Sequence, residues 1–540
     1  MPALSIFEVL GPVMIGPSSS HTAGAVRIGW LAGKIAGKEP REVKLGFRKG
    51  LMNTYKGHAT DTGLVAGILG YREDDERVRT SLQEAAEKGI KVTVEEITEP
   101  GHPNEMRCEI TTVDSIRTIV SGISVGGGSV LIKEIDGVEV NLDGFTGGYL
   151  LRSKSGGISE DLLRLLWNSG FWAGPEPDSS SGKPTADNHR ASESLTFVPG
   201  PKELDRDFLN NLTSRFGVEM RWVPPLYPGN KNPRERRQLF KTANEFLSLC
   251  RESRIPVPQL IAEYEKEFSG LGVAETRQRM KYILDVMKES VKTGLEEPLR
   301  LVGGFANSDD AKLVWKRAIT KKSLGGGFFT KAIARALATM EVNAAMGKVV
   351  AAPTAGSCGV LPGVILTIAE DRRLSDEDLV DGLLVAAGTG IIIGNVASFS
   401  GAVGGCQGEV GVASAISAAS AVYLCGGSIE EAFHGAAMAI KNVLGLACDP
   451  AAGPVEIPCI KRNAGGVAIA LSAAEMALAG VRSVIPFDEV VLALKNVQDL
   501  MPEDLRDNTM GGLGSTPTAG KIKEAWEKKC RCLAFPTTAK

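Results

Sequence analysis

The sequence predicts three consecutive folding units: an α+β unit over residues 1–145, a smaller ferredoxin-type unit over 146–226 and an all-α unit over 236–540. Short β-branched segments such as IKVTVEEI (90–97) indicate strands in the first unit. A proline-rich, charged segment, PLYPGNKNPRE (225–235), indicates a linker. Beyond it strand signals nearly vanish, and helical patterns follow that are amphipathic at first and almost uncharged later.

In the first unit, helical patterns cover 23–36 and 74–87, and MRCEITTV (106–113) predicts a further strand. The segment SVLIKEIDGVEVNL (129–142) predicts a hairpin, because Asp-Gly is a favoured pair for a two-residue turn.

The second unit shows an order of strand, helix, one or two strands, helix and strand, which is the ferredoxin-like order. Its strands are predicted at 148–153, 194–200 and 218–224, its helices at 158–170 and 202–217, and a polar loop at 174–189.

Composition excludes several classes of protein. The chain has 540 residues, of which 43% are apolar and 23% charged, values that are ordinary for a globular protein and rule out wholesale disorder. The formal charge of −3 lacks the basic excess that is typical of nucleic-acid binding. We therefore expect no nucleic-acid partner.

Two long stretches without charge, residues 382–408 and 410–429, could each span a bilayer by length. The first contains asparagine, serine and glutamine side chains that would lack partners in lipid. We therefore expect helices packed inside the protein and no membrane partner. The start of the chain lacks the pattern of a signal peptide, and the nine cysteines are scattered, so a reducing cytoplasm is the expected location.

GPSSSHTAG (16–24) is the densest polar cluster near the start. Free N–H groups at a helix N-terminus attract anions, so the segment suits a carboxylate or phosphate, although serine and threonine also cap helices. KGHATDTG (56–63) places His58 three residues before Asp61, which could orient the imidazole or cap a helix. His102 lies in a proline-rich turn, where histidines are more often solvated than catalytic.

Two copies of Ser-x-Gly-Gly-Gly, at 124–130 and 323–329, lack the strand-GxGxxG-helix context of a dinucleotide site. A Walker-type motif is absent from the sequence as well, so we do not expect NAD or ATP as a cofactor. The loop APTAGSCGVLPG (352–363) looks like a second anion-receiving loop.

Cys406, Cys448 and Cys459 lie in loops that are rich in glycine and proline. They are either buried thiols or metal ligands, and without a CxxC pair a zinc ribbon is not expected. A cubane cluster held by three cysteines leaves one iron open to act as a Lewis acid. That arrangement is typical of dehydratase chemistry, whereas electron transfer needs every iron saturated.

These motifs together resemble iron–sulfur L-serine dehydratase. GPSSSHTAG, KGHATDTG, HPN and SVGGGSV are similar to its β portion, and SLGGGFF, APTAGSCGVLPG, GNVASFSGAVGGCQGEVG, CDPAAGPVEIPC and GGLGSTPTAG (511–520) to its α portion. The segment between the two portions resembles an ACT domain.

The resemblance implies an oxygen-sensitive 4Fe–4S enzyme that converts L-serine to pyruvate and ammonia without pyridoxal phosphate. It implies Cys406, Cys448 and Cys459 as cluster ligands, and excludes Cys358. Some single-chain relatives end in a cysteine that reaches the fourth iron. This chain ends at Lys540, with Cys530 and Cys532 as its nearest candidates.

On this basis we expect His58 to be the catalytic base, with His21 and His102 orienting the substrate, because histidine can exchange protons near neutral pH. The substrate-binding residues are expected in both anion-receiving loops and beside the histidines: Ser18, Ser19, Ser20, Thr22, Asp61, Asn104, Thr354 and Ser357. A lyase that acts on L-cysteine or L-threonine and a non-catalytic amino-acid sensor are the alternatives. We expect a small-molecule amino-acid substrate and a homodimer.

Overall fold

A mixed six-stranded sheet forms the first part of the chain in a computed structural model, which describes residues 4–153, 157–171, 195–200, 202–227, 236–320 and 322–533. The strand order is β3-β2-β4-β5-β6-β7; β2 and β3 are parallel and the other pairs antiparallel. The strands are β2 (Pro40–Arg48), β3 (Lys91–Ile97), β4 (Glu105–Thr112), β5 (Arg117–Gly126), β6 (Ser129–Ile135) and β7 (Val138–Leu142).

The predicted strands of this sheet are confirmed. In β4 every second side chain is buried, as its alternating sequence requires. The β6–β7 hairpin turns at Asp136 and Gly137, whose φ angles of 50° and 82° are the positive values that this turn needs. The predicted helix over 23–36 is α2 (Gly24–Ala36), while the one over 74–87 is a 3₁₀ turn followed by α5 (Ser81–Glu87).

Helices α2 and α4 (Thr60–Ile68) pack against each other backbone to backbone. A Cβ atom on Gly29 would lie 2.2 Å from the carbonyl oxygen of Leu64, and one on Gly67 would lie 2.0 Å from that of Val26. Only glycine permits this approach. Because α2 follows the 16–24 segment and α4 follows His58, the contact sets the distance between the two segments.

The middle unit is a three-stranded antiparallel sheet in the order β10-β8-β9. Its elements follow the predicted order: β8 (Gly148–Ser153), α6 (Glu160–Asn168), β9 (Leu195–Pro199), α7 (Arg206–Phe216) and β10 (Val218–Val223). One face packs on the two helices. The other face, through Leu150 and Phe197, joins the core of the first sheet. The predicted loop at 174–189 lies outside the described residues.

The third part is helical, with one exception. Its helices are α8 (Ala243–Ser253), α9 (Val257–Ser269), α10 (Val273–Glu296), α11 (Asp310–Ile319), α12 (Gly326–Ala344), α13 (Val360–Arg372), α14 (Asp376–Gly394), α15 (Gly401–Gly404), α16 (Val412–Leu424), α17 (Ile429–Lys441), α18 (Cys459–Leu478), α19 (Phe487–Leu500) and α20 (Pro517–Leu533). The uncharged part of α14, from Gly382 onwards, and the uncharged α16 are buried almost all round. Within the described ranges, no helix is long and apolar enough to cross a membrane.

The exception corrects the all-α prediction. Strand β11 (Lys348–Val350) pairs antiparallel with β1 (Val13–Ile15), with Val13 opposite Val350. Each strand has only three residues, so neither segment carries a strong strand pattern of its own. The pairing joins the first and third parts of the chain, and one polar loop follows each strand, at opposite ends of this short ladder.

A buried acid cluster lies beside this junction. The hydroxyl of Ser129 on β6 donates to Oε1 of Glu8 (2.5 Å), and the backbone N–H of Ser5 donates to Oε2 (2.8 Å). The Ser5 hydroxyl in turn donates to Glu265 on α9. Burial raises the pKa of Glu8 to about 7, so this carboxyl group keeps its proton at pH values where an exposed glutamate has lost it.

We predict that this carboxyl group makes the protein less stable as the pH rises. Its pKa is about 4.5 when unfolded and about 7 when folded, so the stabilisation is full below about pH 4.5 and is lost as the pH rises through 7. The shift corresponds to about 3 kcal/mol. When the free energy of unfolding is measured in urea as a function of pH, Glu8→Gln should lack this pH-dependent contribution. Exposed Glu275→Gln is the control; equal pH profiles for all three proteins would contradict the prediction.

Candidate functional site

A π-helical turn, Ser19–Ala23, brings His21 into the interior between β1 and α2. The hydroxyl of Ser18 accepts a hydrogen bond from the backbone N–H of His21 (3.1 Å) and caps the turn. The hydroxyl of Thr22 donates to the backbone carbonyl of His58 (2.6 Å). Of these two predicted substrate ligands, Ser18 thus shapes the turn that carries His21, and Thr22 joins that turn to the His58 segment.

His21 and His58 are stacked, with ring centroids 4.8 Å apart and 17° between the ring planes. Both are nearly fully buried, and burial lowers the pKa of each to about 4. Nε2 of His21 lies 3.3 Å from Oδ1 of Asn104, which accepts its hydrogen. The amide of Asn104 donates to the Ser124 carbonyl (3.3 Å), so the SVGGGSV segment orients the Asn104 side chain.

Two predicted neighbours of this pair have other contacts. Asp61 lies in the first turn of α4, where it accepts hydrogen bonds from the backbone N–H (2.8 Å) and the hydroxyl of Thr62. It forms no hydrogen bond with His58 among the described contacts, so its role there is helix capping. Nδ1 of His102 accepts a hydrogen bond from the backbone N–H of Asn104 (3.1 Å), and among the described contacts His102 is connected to the stacked rings through that residue.

The second polar loop meets the first through Ser19 and Asn343. The backbone N–H of Ala355 donates to the Ser19 hydroxyl (3.3 Å), and the Asn343 amide donates to the carbonyls of Pro17 (3.0 Å) and Ala355 (3.2 Å). Ser20 is buried in the same turn. The Ser357 hydroxyl is fully buried and bonded to Ala352, which makes it a loop-forming group.

The structure brings two of the three predicted cysteines together. The thiols of Cys406 and Cys448 lie with a carboxylate oxygen of Glu409 in a group whose atoms are all within 4.8 Å of one another. Cys459, the first residue of α18, stands outside that group, although the charges of Cys406 and Glu409 act on its thiol. Burial raises the pKa of Cys459 well above its usual range.

Sequence reasoning missed Glu409. Its Oε1 accepts a hydrogen bond from the hydroxyl of Thr354 (2.8 Å), and its Oε2 lies 3.7 Å from the Cys448 sulfur and 4.0 Å from the Cys406 sulfur. Burial raises its pKa well above the usual range. Its position three residues after Cys406 in a helical turn was the available signal.

Asp507 was missed as well, and it connects the two groups. Its carboxylate oxygens lie 3.6 Å from the Cys448 sulfur and 3.8 Å from Nδ1 of His21. Its backbone has a φ of 55°, an unusual value for aspartate, and its N–H donates to the Cys448 carbonyl (2.8 Å). No spacing in the sequence relates it to either group, because the contact is purely tertiary.

Arg462, one turn into α18, fixes the chain around Cys448. Its guanidinium donates to the carbonyl of Ala447 (2.7 Å) and to Asp449 (2.6 Å). A hydrogen bond from the Cys448 thiol, with the nearby Arg462 charge, lowers the pKa of Cys406. A buried group of sulfur ligands, one of them favoured as a thiolate, fits a thiophilic metal or an iron–sulfur cluster.

In comparisons with known proteins, the part of the chain that carries the cysteines and the part that carries the histidines match two different families. Residues 252–514 match the family described as "Serine dehydratase alpha chain", and residues 5–135 match "Serine dehydratase beta chain". The chain is 41% identical over 295 residues to the "L-serine dehydratase, alpha chain" of Peptoniphilus asaccharolyticus, covering 54% of this chain and 99% of that relative. It is 40% identical over 286 residues to a probable alpha chain of Bacillus subtilis (53% and 95%). The probable beta chain of the same organism is 43% identical over 141 residues (26% and 64%).

Because both rings are buried, we predict that His21 and His58 stay neutral at physiological pH. Their pKa values of about 4 mean that they gain a proton only as the pH falls towards 4. With only five histidines in the chain, ¹³C-labelled imidazoles can be followed by NMR in cluster-free protein. Two signals should stay constant from about pH 8 to about pH 5.5, and His58→Gln should remove one of them. A titration midpoint at about pH 6.5 for either ring, the value of an exposed histidine, would contradict the prediction.

Proposed function

Because the chain belongs to the serine dehydratase family and acts as an L-serine dehydratase, a lyase, we propose that it eliminates water from L-serine at the site built by His21, His58, Cys406 and Cys448. One observation carries this placement. Asp507 touches both Cys448, in the part that matches the alpha chain, and His21, in the part that matches the beta chain. The cysteine and histidine groups are thereby neighbours in one site.

We propose that Cys406, Cys448 and Cys459 would hold a 4Fe–4S cluster. The two adjacent thiols, the buried setting and the nearby Arg462 support this cofactor. When bound, the cluster supplies a Lewis acid that activates the substrate hydroxyl as a leaving group. Cys459 stands at the start of a long helix, where its backbone is well fixed.

We propose His58 as the base that removes the Cα proton. Its low pKa keeps the imidazole in its neutral form at neutral pH, and its buried Nδ1 has no hydrogen-bond partner among the described residues. Nδ1 of His21 also lacks a hydrogen-bond partner among the described residues, but it lies 3.8 Å from a carboxylate oxygen of Asp507, and Nε2 of His21 lies 3.3 Å from Oδ1 of Asn104. We therefore give the orienting role to His21, which lies between two fixed side chains, and the proton transfer to His58.

Loss of the Cα proton and the hydroxyl group leaves an aminoacrylate, which hydrolyses to pyruvate and ammonia. The turn Ser18–Thr22 and the loop at Thr354 lie beside both the histidines and the cysteines, which supports them as the place of the substrate carboxylate. Burial of this region excludes bulk water from the proton transfer. Assays of pyruvate from L-serine and of 2-oxobutyrate from L-threonine, on protein prepared without air, test the reaction and its substrate.

The middle unit supports a proposal of an ACT-like module. Its three described strands and two helices follow the order strand, helix, strand, helix, strand, which is the ferredoxin-like order with one strand fewer. The sheet face opposite the two helices packs on the core of the first sheet. A module packed in this way is suited to assembly as well as to regulation. The homodimer and the cytoplasmic location stay predictions.

We predict that each ligand cysteine is required for the cluster. Cys406→Ser, Cys448→Ser and Cys459→Ser should each abolish the broad absorption near about 400 nm and the bound iron, because serine does not replace a thiolate. Cys250→Ser and Cys425→Ser are matched controls, since both residues lie in helices or at helix ends away from the site. Full iron content in the Cys448→Ser protein would refute the assignment.

We predict that the base can be removed without loss of the cluster. His58→Ala should lower kcat by about 100-fold or more, the usual cost of a lost general base, with an unchanged visible spectrum. Exchange of the serine α-proton with solvent should fall in parallel. His102→Ala, which reaches the ring pair only through Asn104, should cost much less. Exchange at the wild-type rate in His58→Ala would assign the base to another residue.

A further inference from the structure

Glu456 is a buried carboxylate with an uncommon set of partners. Its Oε1 accepts hydrogen bonds from the backbone N–H groups of Gly303 (2.6 Å) and Gly304 (3.0 Å). Its Oε2 accepts from those of Phe305 (2.8 Å) and Ala306 (3.0 Å). Only 2% of the residue is exposed to solvent. Four consecutive amides thus bind one side chain.

The loop 303–306 is shaped to receive this anion. Successive N–H groups that point into one concavity form an anion-binding nest, and charge-assisted hydrogen bonds offset the cost of burying the carboxylate. Gly304 has a φ of 74°, which glycine adopts at little cost. A Cβ atom on Gly303 would lie 2.7 Å from Oε1 of Glu456, so the carboxylate fills the space that a side chain would need.

The anchored residue lies one turn before Cys459. The backbone N–H of Ile460 donates to the Glu456 carbonyl (3.1 Å), so Glu456 belongs to the hydrogen-bonded turn that leads into α18. The N–H of Ala451 donates to the Ile457 carbonyl (3.0 Å) and closes the loop behind it. The Asn463 amide donates to the Cys459 carbonyl (3.0 Å) from the other side.

We propose that Glu456 is a positioning residue for Cys459: by docking in the 303–306 nest it sets where α18 begins and therefore where the third thiol stands relative to Cys406 and Cys448. The inference rests on the proposed function in one respect, that Cys459 is a cluster ligand. The role requires a carboxylate, because both oxygens of Glu456 accept hydrogen bonds from the loop, whereas an amide side chain has only one acceptor atom.

The C-terminal helix holds the same loop from its opposite edge. The Lys529 ammonium on α20 donates to the carbonyls of Val302 (2.7 Å) and Gly303 (3.2 Å). The peptide groups between 302 and 304 are therefore bound on their oxygen side by Lys529 and on their nitrogen side by Glu456. A substitution at Lys529, which is less buried than Glu456, is therefore a second way to perturb the 303–306 loop.

The test compares Glu456→Gln with Glu265→Gln, which removes another buried carboxylate, one bonded to Ser5 and Ile6 far along the chain from the cysteines. In cluster-free protein, alkylation of each cysteine is timed by mass spectrometry. Cys459 should react about tenfold faster in Glu456→Gln, because its helix start opens more easily, while Cys406 and Cys448 keep their rates. Glu265→Gln should leave all three rates unchanged.

A second readout uses the loaded protein. After reconstitution without air, Glu456→Gln should lose iron to a chelator faster than wild type and, after one-electron reduction of the cluster, show a changed electron paramagnetic resonance signal, while Glu265→Gln behaves as wild type. Lys529→Met should shift the Cys459 alkylation rate in the same direction by a smaller factor, and serves as the reporter if Glu456→Gln does not fold.

Unchanged Cys459 reactivity in both Glu456→Gln and Lys529→Met would overturn the proposal. Equal acceleration at all three cysteines would overturn it too, since that outcome indicates general loosening. If wild-type protein takes up no cluster, the proposed cofactor fails, yet the alkylation rates still decide whether Glu456 positions Cys459.

Discussion

The site depends on the pairing of two three-residue strands. β1 and β11 are antiparallel, so the first polar loop, which follows Ile15, and the second, which follows Val350, leave opposite ends of the same three-residue ladder. Asn343 then binds the carbonyl of Pro17 in one loop and that of Ala355 in the other. Without the β1–β11 pairing and the Asn343 hydrogen bonds, the histidines would belong to one folded part of the chain and the cysteines to another. These contacts keep the first and third parts adjacent, because buried backbone N–H and C=O groups need hydrogen-bond partners and here find them in the other part.

A second constraint sets the spacing of the histidines. Gly29 and Gly67 let α2 and α4 touch through their backbones, and His21 and His58 lie immediately before those helices. The 4.8 Å stacking of the two rings follows from this close approach together with the Thr22 hydrogen bond to the His58 carbonyl. Any larger residue at either glycine would separate the helices and hence the rings.

The parts of the site that could be predicted from the sequence are those that carry local signals. Glycine-framed polar loops and loop cysteines stand out in a one-dimensional pattern, as does the Asp136–Gly137 hairpin. Asp507 and Glu456 carry no such signal, since their importance arises from contacts with chain segments more than 50 residues away. Of the two roles that the sequence left open for Asp61, orienting the His58 ring or capping a helix, the described contacts favour capping, for a local reason. Ala59 adopts a left-handed conformation (φ 51°), so α4 starts between them and places Asp61 at its own helix end.

The electrostatics of the site show how it is prepared for a cofactor. Burial raises the pKa of Glu409, Asp507 and Cys459, and the hydrogen bond with Cys406, together with burial, raises the pKa of Cys448. Each shift favours the protonated form of its group and so limits the charge that is buried without a cluster. Ligation requires thiolates, and a cluster can enter only as the ligand thiols release their protons. Arg462 offsets part of the negative charge that results. Cluster binding is therefore coupled to proton release and is favoured as the pH rises, whereas the neutral histidines are already in the state that the reaction needs.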